Sequence, residues 1–244
     1  MKRKRSTRLH HYAVRQIGER ILAGKFAVGE LIPTDEALCK TLKISRTALR
    51  EALIVLAAKG LIKRRQKIGT VVCPAEDWNM LDADLLTWRV ESSEGDLVLA
   101  DLYELRKLIE PLAASLAAMH ATRRDIERLR KAYDDMALAG DDGAKVLEPD
   151  MRFHRGVIAA TGNSLFATFG LTIASALKVN FEAVKETPRG HAWALPLHKA
   201  VLNAIVDRDP RVARVAMLKV LEASEEDLRA FRSGKRKRRR TAMA

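Results

Sequence analysis

The period of the apolar residues changes at Pro74, and that change constrains the fold more than any other feature. Beyond Pro74 nearly every apolar residue recurs at helical spacing: Leu99, Leu102, Leu105, Ile109, Leu112 and Leu116; Ile126, Leu129 and Met136; Phe153, Val157 and Ile158. The series continues through Leu165, Phe169, Ile173, Leu177 and Phe181, then Val201, Leu202 and Ile205, then Val212, Val215, Leu218 and Leu221. Gly95, Thr122, Gly140 to Gly143, Gly162-Asn163-Ser164, Thr187 to Gly190 and Asp209-Pro210 punctuate these stripes. An antiparallel bundle of about six helices with short connections follows. Pro111 falls inside one long stripe and is expected to kink that helix or split it. Just before Pro74, Ile62 to Arg65, the turn Gln66-Lys67-Ile68-Gly69 and Thr70 to Cys73 form the one convincing hairpin pattern.

Ahead of the hairpin, residues 11–24 read as an amphipathic helix ended by Gly24. Thr34 can cap a second helix carrying Ala37, Leu38 and Leu42, and Ser45 a third running to Gly60. Two helices joined through Lys43-Ile44 make a helix-turn-helix, and the hairpin adds a wing. The first residues of the second helix in such a unit face base edges in the major groove. Here they are Ser45, Arg46, Thr47 and Arg50. Arg46 and Arg50 are one turn apart, opposite the Leu49, Leu53 and Leu56 stripe, so a guanidinium is free to grip guanine O6 and N7.

Charge supports a polyanionic partner once it is located. The net charge is +13, and residues 1–8 carry five basic groups and no acid, while residues 234–244 carry six and no acid. Residues 9–73 are net +7 and residues 74–233 net −5. Lysines and arginines so placed gain by releasing counterions condensed on phosphates. The expected organisation is a basic arm (1–8), a winged helix-turn-helix (9–74), a linker with a short helix (75–94), a helical effector-binding and dimerisation domain (95–233) and a basic disordered tail (234–244). No apolar run reaches the roughly 18–20 residues of a spanning helix, and no apolar segment backs the N-terminal charges, so a cytoplasmic protein with no membrane partner is expected. Cys39 and Cys73 form no CxxC pair.

In the order Gly29 to Pro33, Leu38, Ile44 to Leu53, Leu56, Gly60-Leu61-Ile62 and Gly69 to Val72, the first part closely resembles the winged-helix domain of GntR-superfamily transcription regulators. The resemblance implies DNA contacts by Arg46, Thr47 and Arg50, and by Gly69 with its wing-tip neighbours, Lys67 included. Glu36 stands where many members carry an Arg near the start of the second helix. The second part is similar to the FCD ligand-binding domain of FadR-type members, through Leu102 to Pro111, Asp150 to His154, Gly162-Asn163 and His198 to Ile205. One recognition helix per chain and a large helical domain available for a two-fold contact lead to the expectation of a homodimer on a double-stranded operator. Residues Trp78 to Trp88 are most similar to a branch that represses sugar-acid operons, implying release by a small carboxylate of the galactonate type.

Asp150 and His154 are i and i+4 on one face, and His198 heads another apolar stripe. Spacing alone suits two readings: a helix cap with two core histidines, or a divalent-metal set for Zn, Ni or Mn. The resemblance aligns the three with metal ligands of the family and places Val220 where a fourth His is usual. Arg106 interrupts an apolar stripe, and its charge needs an anion, either Glu110 at i+4 or a ligand carboxylate. Asn180 is a candidate for binding effector hydroxyls, and Arg189, His191 and Trp193 for a cavity mouth. A metal-dependent enzyme is the rival reading, but HExxH, GxSxG, GxGxxG and P-loop motifs are absent. An architectural DNA binder is the other rival, and the large acidic second part argues against it.

Overall fold

The computed structural model describes residues 2–167, 170 and 192–242, with side chains among these from 9 through 230. The chain forms two compact units, Met1–Gly95 and Asp96–Ala244.

In the first unit, α1 (Lys2–Leu22), α2 (Asp35–Leu42) and α3 (Arg46–Ala58) precede an antiparallel hairpin of β1 (Ile62–Arg65) and β2 (Gly69–Val72). Helix α1 begins well before the expected start, so the basic residues 2–8 continue the helix rather than form a separate arm. Thr34 and Ser45 are N-caps, their hydroxyls accepting from Ala37 and Ala48 backbone N–H at 3.3 and 3.2 Å. Between them Lys43 adopts left-handed backbone (φ 54°), which turns the chain tightly enough to set α3 across α2. Ala13, Ile17, Leu38, Leu49, Ala52, Leu56 and Leu61 fill the core between these elements.

Residues 75–94 are not a free linker. Helix α4 (Ala83–Glu91), capped by Asp82, belongs to the first unit, and Leu85 and Trp88 join its core. A methyl added at Gly18 of α1 would come within 2.6 Å of the Trp88 ring, so glycine is what admits the indole. Lys59, 6% exposed at the end of α3, donates to Asp82 and Asp84 at 2.6 and 2.8 Å. Burial lowers the Lys59 pKa, and the two carboxylates outweigh it, raising it above the usual lysine value.

The second unit is helical in its described residues: α5 (Gly95–His120), α6 (Arg123–Ala139), α7 (Gly143–Ala159), α8 (Leu195–Val206) and α9 (Pro210–Ala242). Pro111 does not split α5, which continues through it with Ala113, Ala114, Ala117 and Ala118 fully buried on the core side. Close packing of that small-residue face compensates for the one backbone bond the proline removes. Thr122 and Asp125 form a reciprocal capping box on α6, and Gly140 ends it with positive φ (56°). Ala117, Leu129, Phe153, Val157, Leu202, Ile205, Met217 and Leu221 make the core. Helix α9 continues through 234–242, so the tail expected to be disordered is helical there.

Because Trp88 belongs to this core, Trp88→Ala should cost the first unit about 3–5 kcal/mol. Hydrogen exchange would show it as lost protection of α1 and α3 amides. A tethered linker residue would leave that protection unchanged.

Candidate DNA-reading face and buried polar cluster

On α3, Ala48, Leu49, Ala52, Leu53 and Leu56 are buried, and Ser45, Arg46, Thr47 and Arg50 are exposed on the opposite side. The Ser45 cap satisfies one of the free N–H groups at the helix start, and the helix dipole leaves that end favourable to phosphate. The wing tip is equally open: Arg64, Arg65, Gln66, Lys67, Ile68 and Gly69 are all exposed. Lys67 and Gly69 carry positive φ (62° and 128°), and Gly69 permits the turn beside Leu31, which bridges to Val71. Arg64 is the exception to a free cationic surface, since it pairs with Asp35 at 2.7 Å.

In the second unit a chain of charged groups is buried between α5, α7 and α8. Arg106 and Glu110 are one turn apart on α5 and 2% and 0% exposed. Arg106 Nε donates to Glu110 Oε1 at 2.5 Å, and Glu110 Oε2 lies 2.5 Å from His154 Nδ1 on α7. The guanidinium also stands over the Tyr103 ring, 5.2 Å from its centre. Asp150 Oδ1 is 3.8 Å from His154 Nε2 and 3.2 Å from His198 Nε2, and His198 Nδ1 is 2.9 Å from the Ala194 carbonyl. The two imidazoles meet edge to face, centres 5.5 Å apart, with Phe153 5.2 Å from His198.

Electrostatics follows from this packing. Burial pushes the Glu110 carboxyl up, but Arg106 and His154 overcome that and hold it at about 2. Asp150 is likewise held well below the usual carboxylate range, its burial outweighed by His154 and His198. Burial lowers His198, and Asp150 more than reverses it, leaving the imidazole above its ordinary value.

The geometry removes the helix cap from the alternatives left open by spacing. Asp150 is in the middle of α7, whose N-cap is Asp142, so it is no helix cap. Asp150, His154 and His198 offer ligand atoms all within 4.8 Å of one another. His198 Nε2 is buried and has no hydrogen bond, although it faces Asp150, and an imidazole nitrogen left so is a cation donor by chemistry. The three residues therefore fit a divalent ion. Val220 is 4% exposed in the bundle core and brings no ligand atom. For Arg106 the anion is Glu110, which engages Nε. Sequence reasoning paired Glu110 with Arg106 alone; its contact with His154, across 44 positions, has no local pattern that would reveal it. Asn180, Arg189 and His191 lie outside the described residues, and Trp193 is in a short turn, Ala192–Ala194.

Comparison with known proteins bears on both parts. Residues 10–72 match the bacterial regulatory proteins of the gntR family, and residues 101–223 match the FCD domain. The galactonate operon transcriptional repressor of Escherichia coli (strain K12) is 30% identical over 217 residues, covering 87% of this chain and 93% of that protein. The chain belongs to the GntR family. This GntR regulator thus joins a DNA-binding winged helix to an FCD domain, the kind of domain that binds effectors. The Uxu operon transcriptional regulator of the same organism is 28% identical over 222 residues, covering 88% of this chain and 84% of its own. Among solved structures, Streptococcus agalactiae GntR is similar at 25% identity and TM-score 0.51, covering 89% of this regulator and 99% of its own chain. Lar of Listeria monocytogenes reaches TM-score 0.63 at 17% identity, covering 91% and 96%, and shows the shared fold. No described helix is long and apolar enough to cross a membrane.

Removing one member of the buried pair should be expensive. Arg106→Ala takes the guanidinium from the buried Glu110 and leaves it the His154 contact, and is expected to cost about 3–5 kcal/mol at neutral pH. A carboxylate with lowered pKa stabilises the fold above its unfolded value, here 4.5, and loses that contribution as pH falls toward about 2. The gap between wild type and variant, measured by urea denaturation, should therefore be widest near neutrality and narrow in acid.

Proposed function

We propose that this GntR regulator is a homodimeric repressor that reads a pseudo-palindromic operator with Arg46, Thr47 and Arg50 and is released by a small sugar acid of the galactonate type. The observation that carries the reading is a capped recognition helix whose exposed start bears two arginines one turn apart, in a chain 30% identical to a galactonate operon repressor. Ser45 and the wing-tip pair Lys67 and Gly69 contact the backbone beside it. A dimer is supported by exposed apolar side chains on α5 (Leu108 and Leu112) and on α9 (Val212 and Val215). The two helices are neighbours, joined by Lys107 to Glu225 at 2.8 Å and Tyr103 to Ser224 at 2.8 Å. A two-fold pairing gives one recognition helix per half-site.

In this reading Asp150, His154 and His198 hold a divalent ion of the zinc, nickel or manganese kind, which when bound supplies positive charge and open positions for oxygen ligands. Arg106 contributes to the same focus: Glu110 engages its Nε, and the guanidinium fork has further N–H donors to offer a carboxylate. Small anions are favoured over neutral or greasy ligands at such a focus. Asn180 completes the proposed effector contacts.

Four measurements test the reading. Arg46→Ala or Arg50→Ala should cost about 1–3 kcal/mol of operator affinity at fixed salt and relax preference at one base per half-site. Deleting residues 1–8 should instead weaken all DNA alike and reduce the salt slope, by about 0.9 per lost phosphate contact. Titrating galactonate, gluconate, lactate and an acyl-CoA against the protein–operator complex should release DNA with galactonate. Release by lactate or acyl-CoA alone would overturn the effector assignment and leave the regulator standing. Val220→His should tighten zinc binding in a chelator competition, since it adds a donor on α9 where valine offers none.

A further inference from the structure

A histidine can offer only one nitrogen to a cation, and the partner of the other nitrogen decides which one. In His198 that partner is a backbone carbonyl: Ala194 O only accepts, so Nδ1 carries the proton and Nε2 is the nitrogen facing Asp150. In His154 the partner is a carboxylate. Glu110, ion-paired to Arg106 through Oε1, accepts through Oε2 as well, so Nδ1–H donates to it at 2.5 Å and Nε2 faces Asp150. Glu110 is itself pinned, because Oε1 takes the Arg106 Nε–H at 2.5 Å and the whole carboxylate is 0% exposed. With both oxygens committed, it stands behind the ligand set.

From this geometry we infer that Glu110 is the positioning residue of the cation site: held by Arg106, it fixes His154 with Nε2 toward Asp150 and His198 and makes that nitrogen a stronger donor. The inference rests on the reading of Asp150, His154 and His198 as a cation site. The two histidines are then unequal. One is braced by a neutral carbonyl of its own helix start and the other by a charged side chain from a different helix, so the cation affinity is tied to the placement of α5 as well as of α7 and α8. Outer-shell partners of this kind typically govern affinity by about 10–100-fold.

Substituting Glu110 alone strands the buried Arg106 charge, so the variants remove the pair together. Arg106→Met with Glu110→Gln keeps an acceptor for Nδ1–H and loses the charge; Arg106→Met with Glu110→Leu loses both. Zinc affinity of the full chain by chelator competition should fall about tenfold in the first and about 100-fold in the second. Nitrogen NMR of the metal-free proteins should show His154 as the Nδ1–H tautomer in wild type and in the Gln variant, and as a mixture in the Leu variant, whereas a merely structural pair would leave the tautomer unchanged. Circular dichroism and operator binding without effector report that each variant is folded. If a double variant does not fold, the comparison passes to Glu110→Asp, which keeps the charge pair but shortens the reach to His154, and should weaken zinc while keeping the fold. Wild type that binds zinc while the folded variants bind it equally overturns this inference alone. Wild type that takes up no zinc, nickel or manganese overturns the cation reading and this inference with it.

Discussion

Glu110 has no exposed surface, and a carboxylate buried that completely stays ionised only while Arg106 occupies one oxygen and His154 the other. Satisfying it takes α5 and α7 in register, and the imidazole it orients then meets Asp150 and, through it, His198 on α8. One buried charge thereby fixes the mutual placement of three helices more sharply than their apolar faces could, because apolar contacts tolerate sliding and a hydrogen-bonded ion pair does not. The surrounding Phe153 and Tyr103 rings keep water away and make each of these contacts stronger.

The first unit solves a different problem: it must leave cations unpaired on its surface while holding a small core. It does so by periodicity. Leu49, Leu53 and Leu56 anchor α3, which leaves Arg46 and Arg50 projecting from the other side. The ion pairs of Arg64 with Asp35 and of Lys59 with Asp82 and Asp84 leave Arg46 and Arg50 out, so that side of α3 keeps its charge.

What the sequence made legible were features carried by local pattern. The caps at Thr34, Ser45 and Thr122, the hairpin that follows α3 and the helical second half all have signals within a few residues, although the second strand starts at Gly69, one residue before the expected Thr70. Readings failed where tertiary packing decided. Pro111 reads as a residue that kinks or splits its helix, and the split does not occur: α5 continues through it beside fully buried alanines. Residues 75–94 read as a linker with a short helix, and nothing local announces that Trp88 of that helix will find the gap at Gly18. Val212 and Val215 fit a helical stripe yet are about half exposed, since the stripe on α9 is wider than the core it faces. In the cluster, Asp150 and His154 were visible as an i, i+4 pair and His198 by resemblance, whereas the role of Glu110 depends on a contact between helices far apart in the chain.

The inclusion of α4 in the first unit changes what joins the two halves. Helix α4 ends at Glu91 and α5 begins at Gly95, so Ser92, Ser93 and Glu94 are all that separates one helix from the next. Ser92 caps the end of α4 by donating to the Arg89 carbonyl, and Arg89 reaches Glu94, which stiffens even this short stretch. Three residues carry about six soft backbone torsions, where a stretch of twenty would carry about forty, so the connection has far fewer conformations to sample.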